Sequence, residues 1–173
     1  GPDLGADSIR KGVVAMGIGS LLVIALMIAT YGRFGLYATG ALVFNVLMIL
    51  GIMAVLNTTM TLPGLAGLVL TIGAAVDANV LIYERIREER KKGRRVVAAV
   101  ENGYKEASRA IYDANVTNFI AGVLLFLFGS GPVRGFAVVL IIGLFTSVFT
   151  GVTLTRMWAA GWLRKARPAD LVI

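Results

Sequence analysis

Residues 64–83 read GLAGLVLTIGAAVDANVLIY, an apolar run in which Asp77 is the one charged residue. An α-helix rises about 1.5 Å per residue, so about 20 such residues cross the roughly 30 Å of hydrocarbon in a bilayer. Four more apolar stretches of similar length flank this run, at 12–31, 35–56, 111–128 and 133–158. The pattern predicts an all-α membrane protein with five transmembrane helices in a domain over residues 12–158.

The composition supports the same class. Of the 173 residues, 57% are hydrophobic and 16% are charged, whereas a soluble domain has about 45–50% and about 25%. A soluble domain of this size exposes too much of its surface to hide so many apolar side chains. Membrane strands alternate apolar and polar residues over about 10 positions, and the five stretches lack that alternation.

Two residue types are absent, which excludes several kinds of site. Without cysteine there is no disulfide, thiolate nucleophile or iron–sulfur ligand, and without histidine there is no Ser-His-Asp triad or imidazole relay. The phosphate-binding motif G-x-x-x-x-G-K-[ST] does not occur either. We therefore predict a protein that is not an enzyme, without catalytic residues, metal site or cofactor, in which any proton transfer depends on carboxylates.

The positive charges predict the topology. Most of the 17 lysines and arginines lie on one side of the predicted bundle, chiefly in the polar segment 84–110. Because cytoplasmic loops are enriched in Lys and Arg, this segment and the tail 159–173 are predicted to be cytoplasmic, and the junction 1–11 extracytoplasmic. Segment 84–110 is expected to form one or two short helices with a break at Gly93.

The net charge of +7 is interpreted as part of this topology signal. Basic residues near a membrane attract anionic lipid head groups, so we expect anionic lipid as a partner at the cytoplasmic face. Nucleic acid is not predicted as a partner, because no aromatic residues interleave the basic run as stacking platforms would.

Asp77 is the first candidate functional residue. It precedes Glu84 by seven residues, which places it about 10 Å inside that end of the helix. A carboxylate in hydrocarbon costs at least about 2.5 kcal/mol, so it should face other helices or water. It is predicted to be a proton relay, and any cationic partner should come from another chain, since no Lys or Arg lies deep in the five stretches. A purely structural hydrogen bond stays open as the alternative.

Other polar and small residues are secondary candidates. Six residues are predicted either to form a polar path with Asp77 or to make hydrogen bonds that join helices: Asn45, Asn79, Asp113, Asn115, Thr117 and Asn118. Helix capping is the alternative for Asp113. Close helix packing is predicted at Gly73, Gly135, Gly143, Ser147 and Gly151. The spacing of the small residues after position 134 does not decide between packing inside the bundle and packing against another subunit.

Several motifs resemble the SecD branch of the SecD/SecF family, which is related to the RND (resistance–nodulation–division) transporters. The run TIGAAVDANVLIYERIREE (71–89) resembles the family's fourth transmembrane helix, DANVT (113–117) its fifth, and GPVRGFA (131–137) the start of its last. The family has six helices, with a large extracytoplasmic domain between the first two. The resemblance therefore implies that this chain holds helices two to six, half of a pseudosymmetric bundle, and that the first helix and that domain are missing from it.

The resemblance also implies a function. Members of the family use the proton-motive force to assist the export of preproteins across the bacterial inner membrane, and Asp77 matches the aspartate implicated in proton passage. The implied partners are SecF, the SecYEG channel, YajC and the translocating preprotein. Two alternatives remain open: another RND-type transporter of small molecules or lipids, and a passive membrane anchor in which Asp77 is structural.

Overall fold

The computed structural model describes residues 2–171 and 173 of the chain. In chain order its elements are α1 (Pro2–Tyr31), α2 (Arg33–Val55), α3 (Leu62–Lys91), α4 (Val96–Phe128), α5 (Pro132–Val148), a π-helical segment (Phe149–Leu154) and α6 (Thr155–Ala166). The last three elements follow one another without a break. No strand occurs in these described residues, and five spans are long and apolar enough to cross a membrane. The predicted all-α class with five transmembrane helices is therefore confirmed.

Glycines mark three of the connections between helices. Gly32, Gly93 and Gly131 have φ angles of 60°, 87° and 50°, a left-handed conformation that residues with a Cβ atom rarely adopt. The break predicted at Gly93 is confirmed. The fourth connection leads into α3 at Thr61, whose Oγ1 accepts a hydrogen bond of 3.1 Å from the backbone nitrogen of Gly64 and so caps the helix.

The helices extend beyond the predicted spans. Segment 84–110 is helical on both sides of Gly93, and each part is continuous with a membrane span: residues 84–91 continue α3, and residues 96–110 are the first half of α4. Pairs such as Arg87–Glu84, 2.8 Å apart, stabilise a helix after its apolar part has ended. Residues predicted to lie outside the spans are helical at both chain ends as well, over 2–11 and 159–166.

Helix α3 lies at the centre of the bundle and contacts each of the other spans. Two close approaches fix its neighbours. A Cβ atom added to Gly143 of α5 would overlap the side chain of Thr71, and one added to Gly103 of α4 would overlap Ile86. Glycine at these two positions therefore allows α5 and α4 to approach the backbone of α3.

One end of the bundle, which we call the basic end, consists of residues 84–110 and 156–167. Its interior holds the fully buried Tyr104, whose hydroxyl donates a 3.0 Å hydrogen bond to Oγ1 of Thr155. It also holds Glu89, which is only 3% exposed. Ion pairs join Glu89 to Arg85, Lys92 and Arg94 at 3.4, 3.8 and 2.7 Å. The ion pair with Arg94 holds the end of α3 against the segment that leads into α4, and the Tyr104 hydrogen bond joins α4 to the start of α6.

Candidate functional site

Asp77 lies in an open pocket between α3, α4 and α5. The pocket has a volume of about 180 Å³, and its polar lining residues besides Asp77 are Asn115 and Asn118 of α4 and Ser147 of α5. The Asp77 side chain is exposed on the surface of the single chain. The structure thus places a carboxylate, two amides and a hydroxyl around one opening in the membrane-spanning part of the bundle.

The pocket brings no cation to Asp77. No Lys or Arg of the described residues lines the pocket. The ion pairs among the described residues all involve carboxylates other than that of Asp77. A charged carboxylate in hydrocarbon needs water, a donor or a cation, whereas the neutral acid needs much less. Around the pocket, the described residues thus offer Asp77 amide and hydroxyl groups but no opposite charge.

The side of α3 that carries Asp77 is not covered by another helix of the described chain. We call this side the open face; it consists of Ala66, Leu70, Gly73, Ala74, Asp77 and Leu81. All of them are exposed except the half-buried Ala74, and a Cβ atom on Gly73 would meet nothing within 4 Å. The open face lies between α1, which borders it at Gly73, and α4, which borders it at Asp77. Small residues on such a face permit close approach of a further helix.

Four residues predicted for a polar path do not line this pocket. Asn79 is buried on the opposite side of α3, two positions and about 200° round the helix, where its amide donates a 3.2 Å hydrogen bond to the carbonyl of Ala75. Asn45 is fully buried in α2, and neither polar atom of its side chain has a partner in the described residues. Asp113 and Thr117 are exposed on α4, where Thr117 donates to the Asp113 carbonyl at 3.2 Å.

The small residues after position 134 pack inside the bundle. Gly143 faces Thr71, and a Cβ atom on Gly151 would lie 3.8 Å from the carbonyl oxygen of Ala75, so both glycines face α3. Gly135 faces Thr61 at the start of that helix, with its Cβ position 3.0 Å from Oγ1. Ser147 is 5% exposed and lines the Asp77 pocket. In the single chain, the three glycines of this stripe therefore lie against α3 or its N-cap residue.

Sequence reasoning missed the π-helical segment Phe149–Leu154. Threonine hydroxyls bond to backbone carbonyls on both sides of it: Thr150 donates to Thr146 at 3.0 Å, and Thr155 donates to Gly151 at 2.6 Å. A π turn changes which side chains face a neighbouring helix, and such turns are frequent at functional sites. Hydropathy does not predict a π turn, because it is as apolar as the α-helix around it.

Comparison with known proteins gives the family. The family described as "Protein export membrane protein SecD/SecF, C-terminal" matches residues 1–164. The chain belongs to this family. Relatives named "Protein translocase subunit SecD" include those of Acetobacter pasteurianus and Rhodobacter capsulatus, each 51% identical over the whole of this chain. The family resemblance inferred from the motifs is therefore confirmed, and the chain is that of a multi-pass protein of the inner membrane.

Solved structures agree with the fold. A crystal structure of SecDF from Thermus thermophilus, described as a translocon-associated membrane protein, matches 97% of this chain with a TM-score of 0.92 and 41% identity. A second structure, of SecDF in a super-membrane-facing form, matches 95% of the chain with a TM-score of 0.86. The chain spans 33% and 31% of the two relatives above and 24% of the Thermus SecDF chain. It therefore matches one part of each of these longer proteins.

Proposed function

We propose that this chain is the proton-coupled membrane part of a subunit of the bacterial protein-export machinery. Its curated relatives are named as translocase subunits, and the related SecDF is described as translocon-associated. The observation that carries the proton coupling is the position of Asp77, a carboxylate within a membrane span, on the open face, beside Asn115 and Asn118. Asp77 is the proton relay in this proposal.

Proton uptake changes which contacts Asp77 tolerates. The charged carboxylate requires water or a cation, whereas the neutral acid can be covered by an apolar helix. Uptake from one side and release to the other then couple the proton to two packings of the open face. One charge that crosses 100 mV supplies about 2.3 kcal/mol, whereas reversal of an equilibrium from 1:99 to 99:1 requires about 5.5 kcal/mol. Full coupling thus needs a pH gradient or more than one proton.

The partner that covers Asp77 is proposed to be SecF, the second half of the pseudosymmetric bundle. The open face offers small residues for a close helix contact, and the pocket has no cation of its own in the part of the chain that the structure describes. SecF would then supply both a helix and any cationic group that meets Asp77. SecYEG and the translocating preprotein are proposed partners of the complete assembly, and the basic end is proposed to be cytoplasmic.

The test of this function is preprotein export in inner-membrane vesicles. Vesicles that contain the full-length protein with SecF are compared with depleted vesicles, each with an imposed proton gradient and with the gradient collapsed by a protonophore. We expect the full-length protein to accelerate export only when the gradient is present. Equal acceleration after the gradient has collapsed would contradict proton coupling, and no acceleration in either condition would contradict the export function.

Replacement of Gly73 by Leu is expected to weaken association with SecF while leaving the fold intact. A Cβ atom at this position meets nothing in the chain, but a leucine would hold a docking helix away from the open face. We expect the amount of SecF that co-purifies to fall by about tenfold, which corresponds to roughly 1.4 kcal/mol.

Gly51→Leu on α2 is the matched control for this prediction, because Gly51 is also exposed and its Cβ position is also open. It should leave co-purification unchanged. An equal loss of SecF with both variants, or unchanged binding of the Gly73→Leu variant, would mean that SecF does not dock on the open face.

A further inference from the structure

A groove outside the Asp77 pocket runs along α4 at the basic end. Its polar part, of about 790 Å³, lies between α4 and the stretch from the π-helical segment to α6, and three cations line it: Lys105, Arg109 and Arg156. Its apolar part, of about 570 Å³, lies between α4, α5 and the π-helical segment. Tyr112 and Thr153 line both parts, so the two form one continuous groove.

The three cations of the polar part have no acidic partner in the part of the chain that the structure describes. Glu101 also lines this part, but the ion pairs there include neither it nor Lys105, Arg109 or Arg156. The other cations of the basic end are of two kinds. Five are in ion pairs with Glu84, Glu88, Glu89 or Asp170, namely Arg85, Arg87, Arg90, Lys92 and Arg94, and the ion pairs of the described residues do not include Lys91, Arg95, Arg164, Lys165 or Arg167. The groove therefore has an excess of positive charge that a ligand can neutralise.

The apolar part fits a hydrocarbon chain. It is lined by Val116 and Phe119 of α4 and by Phe145 and Phe149 on the other side, all of them exposed on the single chain. The eight residues from Tyr112 to Phe119 extend about 10 Å along the helix, within the roughly 15 Å that is half of a hydrocarbon layer of about 30 Å. A tyrosine at the junction, with an apolar ring and a polar hydroxyl, is typical of a membrane interface.

We propose that this groove is a binding site for an anionic phospholipid. The phosphate lies among Lys105, Arg109 and Arg156, and an acyl chain follows the apolar part past Val116 towards Phe119. An acidic segment of a protein partner would match the cations, but it would not need the continuous apolar part beneath them. The apolar part borders the Asp77 pocket at Asn115 and Val148, whereas the polar part shares no lining residue with that pocket. The lipid proposal rests on the cations and the apolar lining and not on the proton relay.

The test uses the full-length protein, reconstituted with SecF into nanodiscs that contain equal amounts of phosphatidylglycerol and phosphatidylcholine. Native mass spectrometry after mild extraction measures the lipid retained. We expect the wild type to retain phosphatidylglycerol in preference to phosphatidylcholine. The triple variant K105Q/R109Q/R156Q should lose that preference by about 100-fold, because each Lys or Arg contributes about 1 kcal/mol to the attraction of anionic lipid. The charge-matched control K91Q/R95Q/K165Q changes three exposed cations that do not line the groove. This control should keep the preference for phosphatidylglycerol.

A second pair of variants tests the acyl chain. Val116→Trp fills the apolar part and should reduce the retained phosphatidylglycerol by about tenfold, whereas Ile120→Trp, on an exposed position of α4 outside the groove, should not. The proposal is overturned if the wild type shows no preference, or if the triple variant behaves like its control. Loss with the triple variant but not with Val116→Trp would also overturn it, because the head group would then bind without an acyl chain in the apolar part.

Discussion

Asp77→Asn is expected to abolish the part of preprotein export that depends on the proton gradient. The gradient-dependent rate should fall by about tenfold or more, the effect of losing a proton-transfer group. Asparagine keeps the size and hydrogen-bonding capacity of the side chain but cannot take up or release a proton. The variant is therefore held in one of the two packings of the open face. Export in inner-membrane vesicles with an imposed gradient measures the effect, and the rate after addition of a protonophore gives the baseline.

Two further variants make this prediction specific. Asp113→Asn removes a carboxylate from an exposed position of α4 outside the Asp77 pocket, and it should leave gradient-dependent export unchanged. Asp77→Glu keeps an ionisable group in the pocket and should restore part of the export that Asp77→Asn loses. Wild-type export by Asp77→Asn would mean that Asp77 is structural, and the chain would then act as a passive membrane anchor.

The position of Asp77 could be predicted because it depends on a single helix. The hydropathy of residues 64–83 defines the span, and the helical repeat places Gly73 and Asp77 on one face. That this face is exposed, however, depends on the other helices. The sequence predicted that the carboxylate would face neighbouring helices or water, and in the single chain it lies at an open pocket that the proposed SecF contact would cover.

The partners of Asp77 could not be predicted, because they depend on how α3 and α4 meet. Six polar residues were candidates for one path, yet Asn115 and Asn118 line the pocket while Asn79 is buried on the opposite side of α3. The basic groove was missed for the same reason. Lys105 and Arg156 are far apart in sequence, and only the packing of α4 against α6 makes them neighbours in one cavity.

Helix ends were missed for a more local reason. The apolar stretch of a span ends where the helix leaves the membrane, but the helix itself continues as long as its backbone hydrogen bonds and side-chain pairs remain favourable. The salt bridge between Arg85 and Glu88, 3.1 Å apart, lies beyond the apolar part of α3 and supports such a continuation. The first break comes only at Gly93, where φ is 87°.

Gly143→Leu is expected to prevent stable folding of the bundle, at a cost of about 3 kcal/mol or more, the upper part of the range for overpacked cores. Even a Cβ atom at this position would overlap the side chain of Thr71, which is itself 2% exposed and cannot turn away into solvent. The Thr71 hydroxyl is also held by a 2.8 Å hydrogen bond to the carbonyl of Gly67. A leucine would therefore push α5 away from α3, the central helix that also carries Asp77.

The measurement is the midpoint of SDS-induced unfolding of the full-length protein in detergent, with Gly51→Leu as the control for a leucine at an exposed glycine. The smaller change Gly143→Ala should cost about 1–3 kcal/mol, and Thr71→Ala in the same chain should recover part of that loss, since it removes the two atoms nearest the added Cβ. Such a coupling between the two sites is expected only when they are in contact. If Gly143→Leu unfolds like Gly51→Leu, or if the two alanine substitutions are additive, α5 does not pack on α3 at Thr71, and the Asp77 pocket that both helices line would need a different geometry.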